Sequence, residues 1–480
     1  MYEILISSIL GQQQVAITTN QRLVHFFSEI STEKSIVGNI YLGTVVRILP
    51  GMECAFIDIG LSRTAFLHFK DIQVTGPEID SITKILHQGQ RLILQVIKDP
   101  IGDKGARLTT EISIASTHLV YKPYHSHNGV SQKIQHEEER NRLAKILENL
   151  PLKGLLARTA AEYQSEDNFL LDCLYLKNCW ERIQQSMIEM KGPSALIFEE
   201  LELPLRVIRD FAKNKIIKIF LDSTILKNKV ENFLKKFIEH KDQNVQNLIE
   251  MIEPPVFSQY QILSQLKNSL SKKIELKSGA SVIIEETEAM TTIDINTGSF
   301  VGKKNHEQTV LKTNLEAVDI IANQIILRNI GGLIIIDFID MKSTENQELV
   351  LHKLKEKMKI DSMPVCVLPF SEVGLVQMTR KRTSESNNKQ FYDNCPCCEG
   401  LGSVRNASTM SLEISSILLE MIKKNPVKKI TIVANEKIAF FLKNNIKFLN
   451  QELEKYETEL IIRVDAGINQ GDYEIIPGAN

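Results

Sequence analysis

Hydrophobic and polar positions change their pattern several times along the chain. Three apolar, strand-like runs come first, YEILISSI, QQVAITT and RLVHFFSEI, separated by Gly11 and by Asn20-Gln21. Residues 1–37 supply a hairpin but not a whole domain, so they are expected to pack against a later segment. From residue 38 to about 116 the pattern turns to short alternating segments with glycines, which predicts a small closed barrel. GVSQKI then leads into a charged stretch, residues 136–150, whose Leu143, Ile146, Leu147 and Leu150 share one helical face. Residues 151–205 mix a short strand, GLLAR, with helical stretches interrupted by Gly192-Pro193, and helices are expected over about 204–252 before Pro254-Pro255. Strand patterning returns at 280–285 and 291–296, followed by a helix at 309–328 and an apolar strand at 333–338, the order of a sheet covered by helices. Residues after about 405 read as a small α/β tail. Neither an internal repeat nor a low-complexity segment is apparent.

The chain has 480 residues, which at roughly 150 per domain gives a prior of about three domains. With 43% hydrophobic and 24% charged residues it is neither collagen-like, disordered nor membrane-spanning in composition. Lys plus Arg number 57 against 59 Asp plus Glu, a net charge of -2, so a partner held by bulk positive charge is not indicated and any nucleic-acid site must be local. The start of the chain has no basic region ahead of its apolar run and carries Glu3 early, so no secretion signal is expected. The most apolar stretch, GGLIIIDFI, falls far short of the roughly 18 residues of a spanning helix. Seven cysteines, an odd number, point to reduced thiols in a cytoplasm, with clustered ones available for metal.

Gly43-x-Val45-x-x-Ile48, Ala55-Phe56-Ile57-Asp58-Ile59-Gly60 and Ala65-Phe66-Leu67-His68 resemble the S1 pattern, a barrel of the oligonucleotide-binding class that stacks bases on aromatics and steers phosphates with basic groups. Phe56, Phe66 and Lys104 are its candidates for RNA contact. A lone phenylalanine on an alternating strand reads as core, whereas two in this pattern favour RNA. Residues 38–116 hold eight basic and eight acidic residues, so the barrel is expected to act as a clamp on substrate held elsewhere.

In Thr291-Thr292-Ile293-Asp294-Ile295-Asn296, Asp294 and Asn296 are two apart on a strand and project from one face. The run Leu333 to Ile336 ends on Asp337. If the two strands are neighbours, Asp294 and Asp337 meet, and their separation of 43 positions suffices for a crossover helix between parallel strands. Two carboxylates with no cation between them repel, and a hard divalent ion such as Mg2+ is the usual solution, able to activate water and neutralise a phosphodiester. The plainer reading makes these acids strand caps and surface groups. Asp340 need not share the face of Asp337 and is kept as a supporting residue.

Cys395-Pro396-Cys397-Cys398 supplies half of a tetrahedral thiolate site, with Cys397 as an extra thiol; the same pair from a second subunit would complete a Zn2+ link between chains. A redox dithiol is disfavoured because no thioredoxin-like unit is seen around it, and an unliganded thiol cluster is the other reading. Arg158-Thr159 is suitable for a terminal phosphate but weak as a signal. Thr379-Arg380-Lys381-Arg382 reads as a phosphate-contacting run or as a solvated face. No G-x-x-x-x-G-K-[ST] motif argues against an ATP-driven helicase, and the ten histidines form no H-E-x-x-H pair.

Together with Lys104-Gly105-Ala106-Arg107-Leu108-Thr109-Thr110, Glu288-Ala289-Met290, Asn314-Leu315-Glu316-Ala317, residues 331–341 and Met378 to Arg382, these motifs resemble the ribonuclease E/G family over nearly the whole chain. The resemblance implies an endoribonuclease that cuts single-stranded, A/U-rich RNA in rRNA maturation, such as that of the 16S 5' end, and in mRNA decay. It would leave a 5'-phosphate and a 3'-hydroxyl. Asp294 and Asp337 would hold Mg2+, and Asn296 would orient the scissile phosphate or an acid beside it. The implied architecture is a multidomain α/β chain. Residues 1–37 and 206–275 form an RNase H-like subdomain interrupted by an S1 (OB-type) barrel at 38–120. A sensor of a substrate 5'-monophosphate at 121–205 uses Val130, Arg158 and Thr159. A DNase I-like catalytic subdomain spans 276–385, a zinc link with Cys395 and Cys398 spans 386–404, and a small C-terminal dimerisation domain spans 405–480. A cytoplasmic homodimer or higher oligomer without membrane attachment follows, and docking of a degradosome through a scaffold tail is not implied. Where members often carry a further basic residue just after the Asp361 position, this chain has Ser362-Met363-Pro364. A non-catalytic S1-type RNA-binding protein is the competing expectation.

Overall fold

The computed structural model describes residues 2–478 apart from 31, 33, 74–80, 101, 191, 212–215, 239–247, 254, 298–305, 362 and 383, and apart from the side chains of 217, 236–238, 448 and 452. The chain divides into two compact units, residues 1–388 and 389–480.

The opening runs form an antiparallel meander, β1 (Tyr2–Ile9), β2 (Gln12–Thr19) and β3 (Arg22–Ile30). Both turns place two successive residues at positive φ, Leu10-Gly11 and Asn20-Gln21, the backbone that matches strand twist in a two-residue hairpin. A five-stranded barrel follows: β4 (Ile40–Leu49), β5 (Cys54–Asp58), β6 (Ala65–His68), β7 (Arg91–Lys98) and β8 (Arg107–Thr109). It closes because the first half of β4 pairs with β7 and the second half with β5. Tyr41, Val45, Ile57, Leu67, Leu94, Val96 and Leu108 fill it, alternating inward along their strands.

Next come β9 (Ile114–Ala115), β10 (Leu119–Tyr121), β11 (Gly129–Val130), α1 (Glu137–Asn149), β12 (Leu155–Ala157) and α2 (Glu166–Glu189). The small sheet β11-β12-β10-β9 packs with the two helices around Leu119, Leu143, Ile146, Leu147, Leu155, Phe169 and Leu176. The chain returns through β13 (Ala195–Phe198), a strand not anticipated from the sequence, which pairs antiparallel with Ile40 to Leu42. Glu200 N–H then donates to Asn39 Oδ1 at 2.9 Å. The exit of the lobe at 40–198 is thereby stitched to its entrance.

The expected run of helices at 204–252 is corrected. Between α3 (Leu203–Phe211) and α4 (Thr224–Ile238) lies β14 (Ile216–Leu221), and β15 (Ile249–Met251) follows. A short, mostly apolar run such as IIKIFL does not distinguish a strand from a helix segment by period alone. β14 pairs parallel with β1, giving a sheet β15-β14-β1-β2-β3. Ile4, Ile6, Val15 and Ile17 share one core with Leu203, Val207, Ile208, Leu226, Val230 and Leu234. The N-terminal piece therefore finds its partner some 200 residues later.

After α5 (Ile262–Ser269), β16 (Lys273–Glu275), β17 (Ser281–Glu286) and β18 (Met290–Asn296), helix α6 (His306–Leu327) crosses to β19 (Gly332–Asp337). Helix α7 (Thr344–Met358) precedes β20 (Val365–Phe370) and β21 (Leu375–Arg380). The sheet order is β16-β17-β18-β19-β21-β20, with β18 and β19 its parallel pair. Ile293, Ile295, Ile334, Ile336, Val376 and Met378 face a core shared with Val318, Ile321, Ile325, Val350 and Leu354 of the helices.

In the second unit, α8 (Ala407–Lys424), β22 (Lys429–Ala434), α9 (Glu436–Glu454), β23 (Glu459–Val464) and β24 (Tyr473–Pro477) form a sheet β23-β22-β24. Met410, Ile414, Leu418 and Ile422, four residues apart, pack onto Ile430 and Ile432. Asn406 and Asn435 cap the two helices, accepting from Thr409 N–H at 2.9 Å and Ile438 N–H at 3.1 Å.

The barrel contains a very close backbone approach. A Cβ at Gly105 would stand 2.0 Å from the Thr64 carbonyl oxygen, where β6 and β8 run side by side. Gly105→Ala is therefore expected to destabilise the protein by about 1–3 kcal/mol through overpacking, seen as a lowered thermal midpoint.

Candidate active site

On β18, Ile293 and Ile295 are buried while Asp294 and Asn296 are exposed on the opposite face. On β19, Ile334 and Ile336 are buried and Asp337 is exposed. The parallel register sets Asp294 directly opposite Asp337. Asn296 Nδ2 donates to Asp294 Oδ2 at 2.7 Å, which fixes the amide beside the carboxylate. The carboxyl of Asp337 lies above the ordinary aspartate value, first through partial burial, then through the charges of Asp294 and Asp340. Asp340 thus belongs electrostatically to the pair. Strand alternation did not place it there because β19 ends at Asp337 and the two-residue repeat no longer applies. The loop that carries it is clamped by Asn314, fully buried on α6, which donates to Ile339 O at 2.8 Å and accepts from Ile339 N–H at 3.1 Å.

Asp294 and Asp337 offer hard oxygen donors under mutual repulsion, which fits a divalent cation such as Mg2+. Among the described residues no three His, Cys, Asp or Glu side chains gather as a metal set. A two-carboxylate arrangement is the kind Mg2+ takes when waters and substrate phosphates supply its other ligands. Gly298, beyond the Asn296 motif, lies outside the described residues.

The basic run behaves differently from a phosphate track. Arg380 is buried: its Nε donates to Asp361 Oδ2 at 2.6 Å and its Nη1 to Ile330 O at 2.9 Å. Arg382 donates to Gly331 O from Nε at 3.1 Å and from Nη2 at 2.6 Å. Lys381 is the exposed cation of the three. Lys133, from the segment before α1, donates to Asp361 O at 2.9 Å. Ser362, in the departure noted after Asp361, lies outside the described residues.

On the barrel, Phe56 and Phe66 are opposite each other on β5 and β6, half-buried and absent from the core, with rings in edge contact at 6.1 Å. They lie on the outer wall, and His68 extends the same row, 6.3 Å from Phe66. Its place two residues after Phe66 was the sequence signal for it. Lys104 is exposed in the β7–β8 connection. Lys98 of β7 is held below the usual lysine value by partial burial, then by Arg107, Lys381 and Arg382, so positive charge is concentrated locally beside the aromatic row.

Val130 and Ala157 are register partners on β11 and β12, which brings Val130 near the Arg158-Thr159 step. Arg158 Nη1 donates to Ser116 O at 2.6 Å and Nη2 to Asp210 Oδ1 at 2.7 Å. Thr159 begins a short 3-10 turn. A cleft of about 440 Å³ adjoins Val130, lined in part by His127, Asn128, Arg140 and Lys153.

Cys395 and Cys397 are exposed and Cys398 is partly so, in turns where Cys398 and Glu399 N–H groups donate to Cys395 O at 3.3 and 2.8 Å. Backbone N–H groups of Cys397 and then Cys398 hold the Cys395 thiol below its ordinary value, favouring the thiolate that a metal requires.

Comparison with known proteins bears on these sites. The family described as "Ribonuclease E/G family" matches residues 113–383, and "RNase E/G, Thioredoxin-like domain" matches residues 394–478. Ribonuclease G of Haemophilus influenzae and that of Escherichia coli are each 37% identical over 99% of this chain and 99% of their own length. Ribonuclease E of Haemophilus influenzae is 34% identical over 94% of this chain but only 49% of its own length. The paired acids, the S1-type barrel and these matches define an endoribonuclease. The chain belongs to the ribonuclease E/G family, and its length and coverage make it similar to ribonuclease G. The competing expectation of a non-catalytic RNA-binding protein is set aside. One reading is corrected: a thioredoxin-like unit does adjoin the cysteines, because the β-α-β pattern follows them instead of preceding them.

The raised Asp337 carboxyl has a stability consequence. A carboxyl raised in the folded state binds more protons there than in the unfolded chain, so its ionisation lowers stability as pH rises through the folded value. In metal-free buffer at neutral pH, Asp337→Asn is expected to raise the thermal midpoint. That advantage should shrink as pH falls toward about 4, the ordinary aspartate range. Paired melting curves across pH measure it.

Proposed function

We propose that this chain is a Mg2+-dependent endoribonuclease acting on single-stranded, A/U-rich RNA, stimulated by a 5'-monophosphate on the substrate, and leaving 5'-phosphate and 3'-hydroxyl ends. The observation that carries the reading is the in-register pairing of Asp294 with Asp337, with Asn296 bonded to the first. Asp294 and Asp337 would hold the ion, which when bound lowers the pKa of water and neutralises phosphate charge. Asn296 presents an oriented amide to the scissile phosphate or to the acid beside it. Phe56 and Phe66 would stack bases while Lys104 meets the backbone, and Val130, Arg158 and Thr159 would receive the terminal phosphate.

In this reading 1–37 with 206–275 is the RNase H-like subdomain, 38–120 the S1 barrel, 121–205 the sensor and 276–385 the DNase I-like catalytic subdomain. Residues 386–404 form the zinc link and 405–480 the dimerisation domain. Substrates would be rRNA precursors, including the 16S 5' end, and mRNA in the cytoplasm. Among the described residues no helix is long and apolar enough to cross a membrane.

Cleavage assays on 5'-monophosphorylated single-stranded RNA test the mechanism. Asp294→Asn and Asp337→Asn should each cut activity more than about a hundredfold while RNA binding by gel shift persists. Retained cleavage would remove the two-carboxylate mechanism.

Cys395 and Cys398 would bind Zn2+ together with the same pair of a second copy. Elemental analysis of the purified dimer should then give roughly one zinc per two chains, and Cys395→Ser should release monomers. Full zinc loading of a monomer would end this assignment.

A further inference from the structure

Arg158 is more firmly seated than a surface arginine. Its backbone N–H donates to His118 O at 2.8 Å. The segment bearing Ser116 and His118 is fixed by Asp172, which is buried on α2 and accepts from Ser116 Oγ at 2.8 Å and His118 N–H at 2.6 Å. The guanidinium itself is gripped from two directions, by Ser116 O and by Asp210 Oδ1. Of its five N–H donors these bonds use two, and the other three make no bond to the described residues. Asp210 stands on α3, in a different core from Arg158's own. It is anchored in turn, because Arg209 Nε donates to Asp210 Oδ1 at 3.1 Å and Arg209 Nη1 donates to Glu200 Oε1 at 2.9 Å. Burial alone would raise the Asp210 carboxyl, yet Arg209 and Arg158 together hold it below the ordinary range. Its carboxylate form is thus the one bonded to both arginines.

We propose that Asp210 is a positioning residue of the 5'-phosphate sensor: it holds the Arg158 guanidinium in its ligand-ready orientation before RNA arrives. The proposal rests on the reading of Arg158 as the sensor arginine. A long arginine side chain ordered only by its ligand costs the complex about 0.5–1.5 kcal/mol in lost rotamer freedom, equivalent to a loss of roughly two- to tenfold in affinity. Here that ordering is done in advance by the Asp210 carboxylate. Arg209 shares the carboxylate, so Asp210 is not spent on Arg158 alone.

The experiment measures kcat/KM for 5'-monophosphorylated and 5'-hydroxyl forms of one RNA in four full-length proteins: wild type, Arg158→Gln, Asp210→Ala and the double variant. The preference for the monophosphate should fall roughly two- to tenfold in Asp210→Ala, through KM and not kcat. In the Arg158→Gln background the same replacement should change the preference no further, since a residue that acts through Arg158 has nothing left to position. A purely structural role would instead lower cleavage of both RNAs and do so with or without Arg158, and melting curves of all four proteins identify that case. An unchanged or increased preference in Asp210→Ala, with Arg158→Gln still lowering it, would overturn the proposal while sparing the sensor. An unchanged preference in Arg158→Gln would remove the sensor reading itself.

Discussion

Strand register at β18 and β19 is the constraint on which the candidate chemistry depends. In a strand every second side chain shares a face, so a slip of one residue would carry Asp294, Asn296 or Asp337 into the core and bring isoleucines to the surface. Ile293, Ile295, Ile334 and Ile336, all buried against α6 and α7, make that slip costly. Hydrophobic packing on one side of the sheet therefore holds two like charges face to face on the other. The carboxyl of Asp337 is raised first by its partial burial and then by that proximity, through the charges of Asp294 and Asp340. The site resembles a compressed spring whose restraint is the layer of aliphatic side chains on the far face of the same strands.

How much of this was legible in the sequence varies with the range of the interactions involved. Asp294 and Asn296 could be put on one face because the alternation with Ile293 and Ile295 is local, and the crossover to Asp337 followed from chain length. β14 was hidden because IIKIFL shows no two-residue alternation, and its parallel partners, β1 far back in the chain and β15 after it, make it a strand. The fate of Arg380 was equally invisible, since a run of cations looks the same whether it meets phosphate or a buried Asp361. Asp210 carried no local signal at all; it meets Arg158 because α3 brings it there. The coarse fold class, α/β with a small closed barrel, was readable from patterning, whereas the salt-bridge partners were not.

Balanced total charge also takes on a definite meaning. Arg380 and Arg209 are tied up by Asp361, Glu200 and Asp210, and Arg107 by Asp71, while Lys98 beside the barrel's aromatic row still feels Arg107, Lys381 and Arg382. Near-neutrality allows acidic and basic ground to coexist on one unit. A metal-binding pair of carboxylates would be poorly distinguished on a uniformly basic surface.

The pairing of β13 with the start of β4 has an evolutionary corollary. Because Phe198 lies against Ile40 and Ala195 against Leu42, residues 40–198 leave and rejoin the interrupted sheet through a single two-stranded neck. For that sheet the whole lobe counts as one closed loop, and the entropic cost of closing a loop rises only logarithmically with its length. The neck is not the lobe's sole tie, since Arg158 bonds Asp210 and Lys133 bonds Asp361. A change of length inside the lobe therefore costs the host sheet little only where it leaves both the neck and these two bridges in reach.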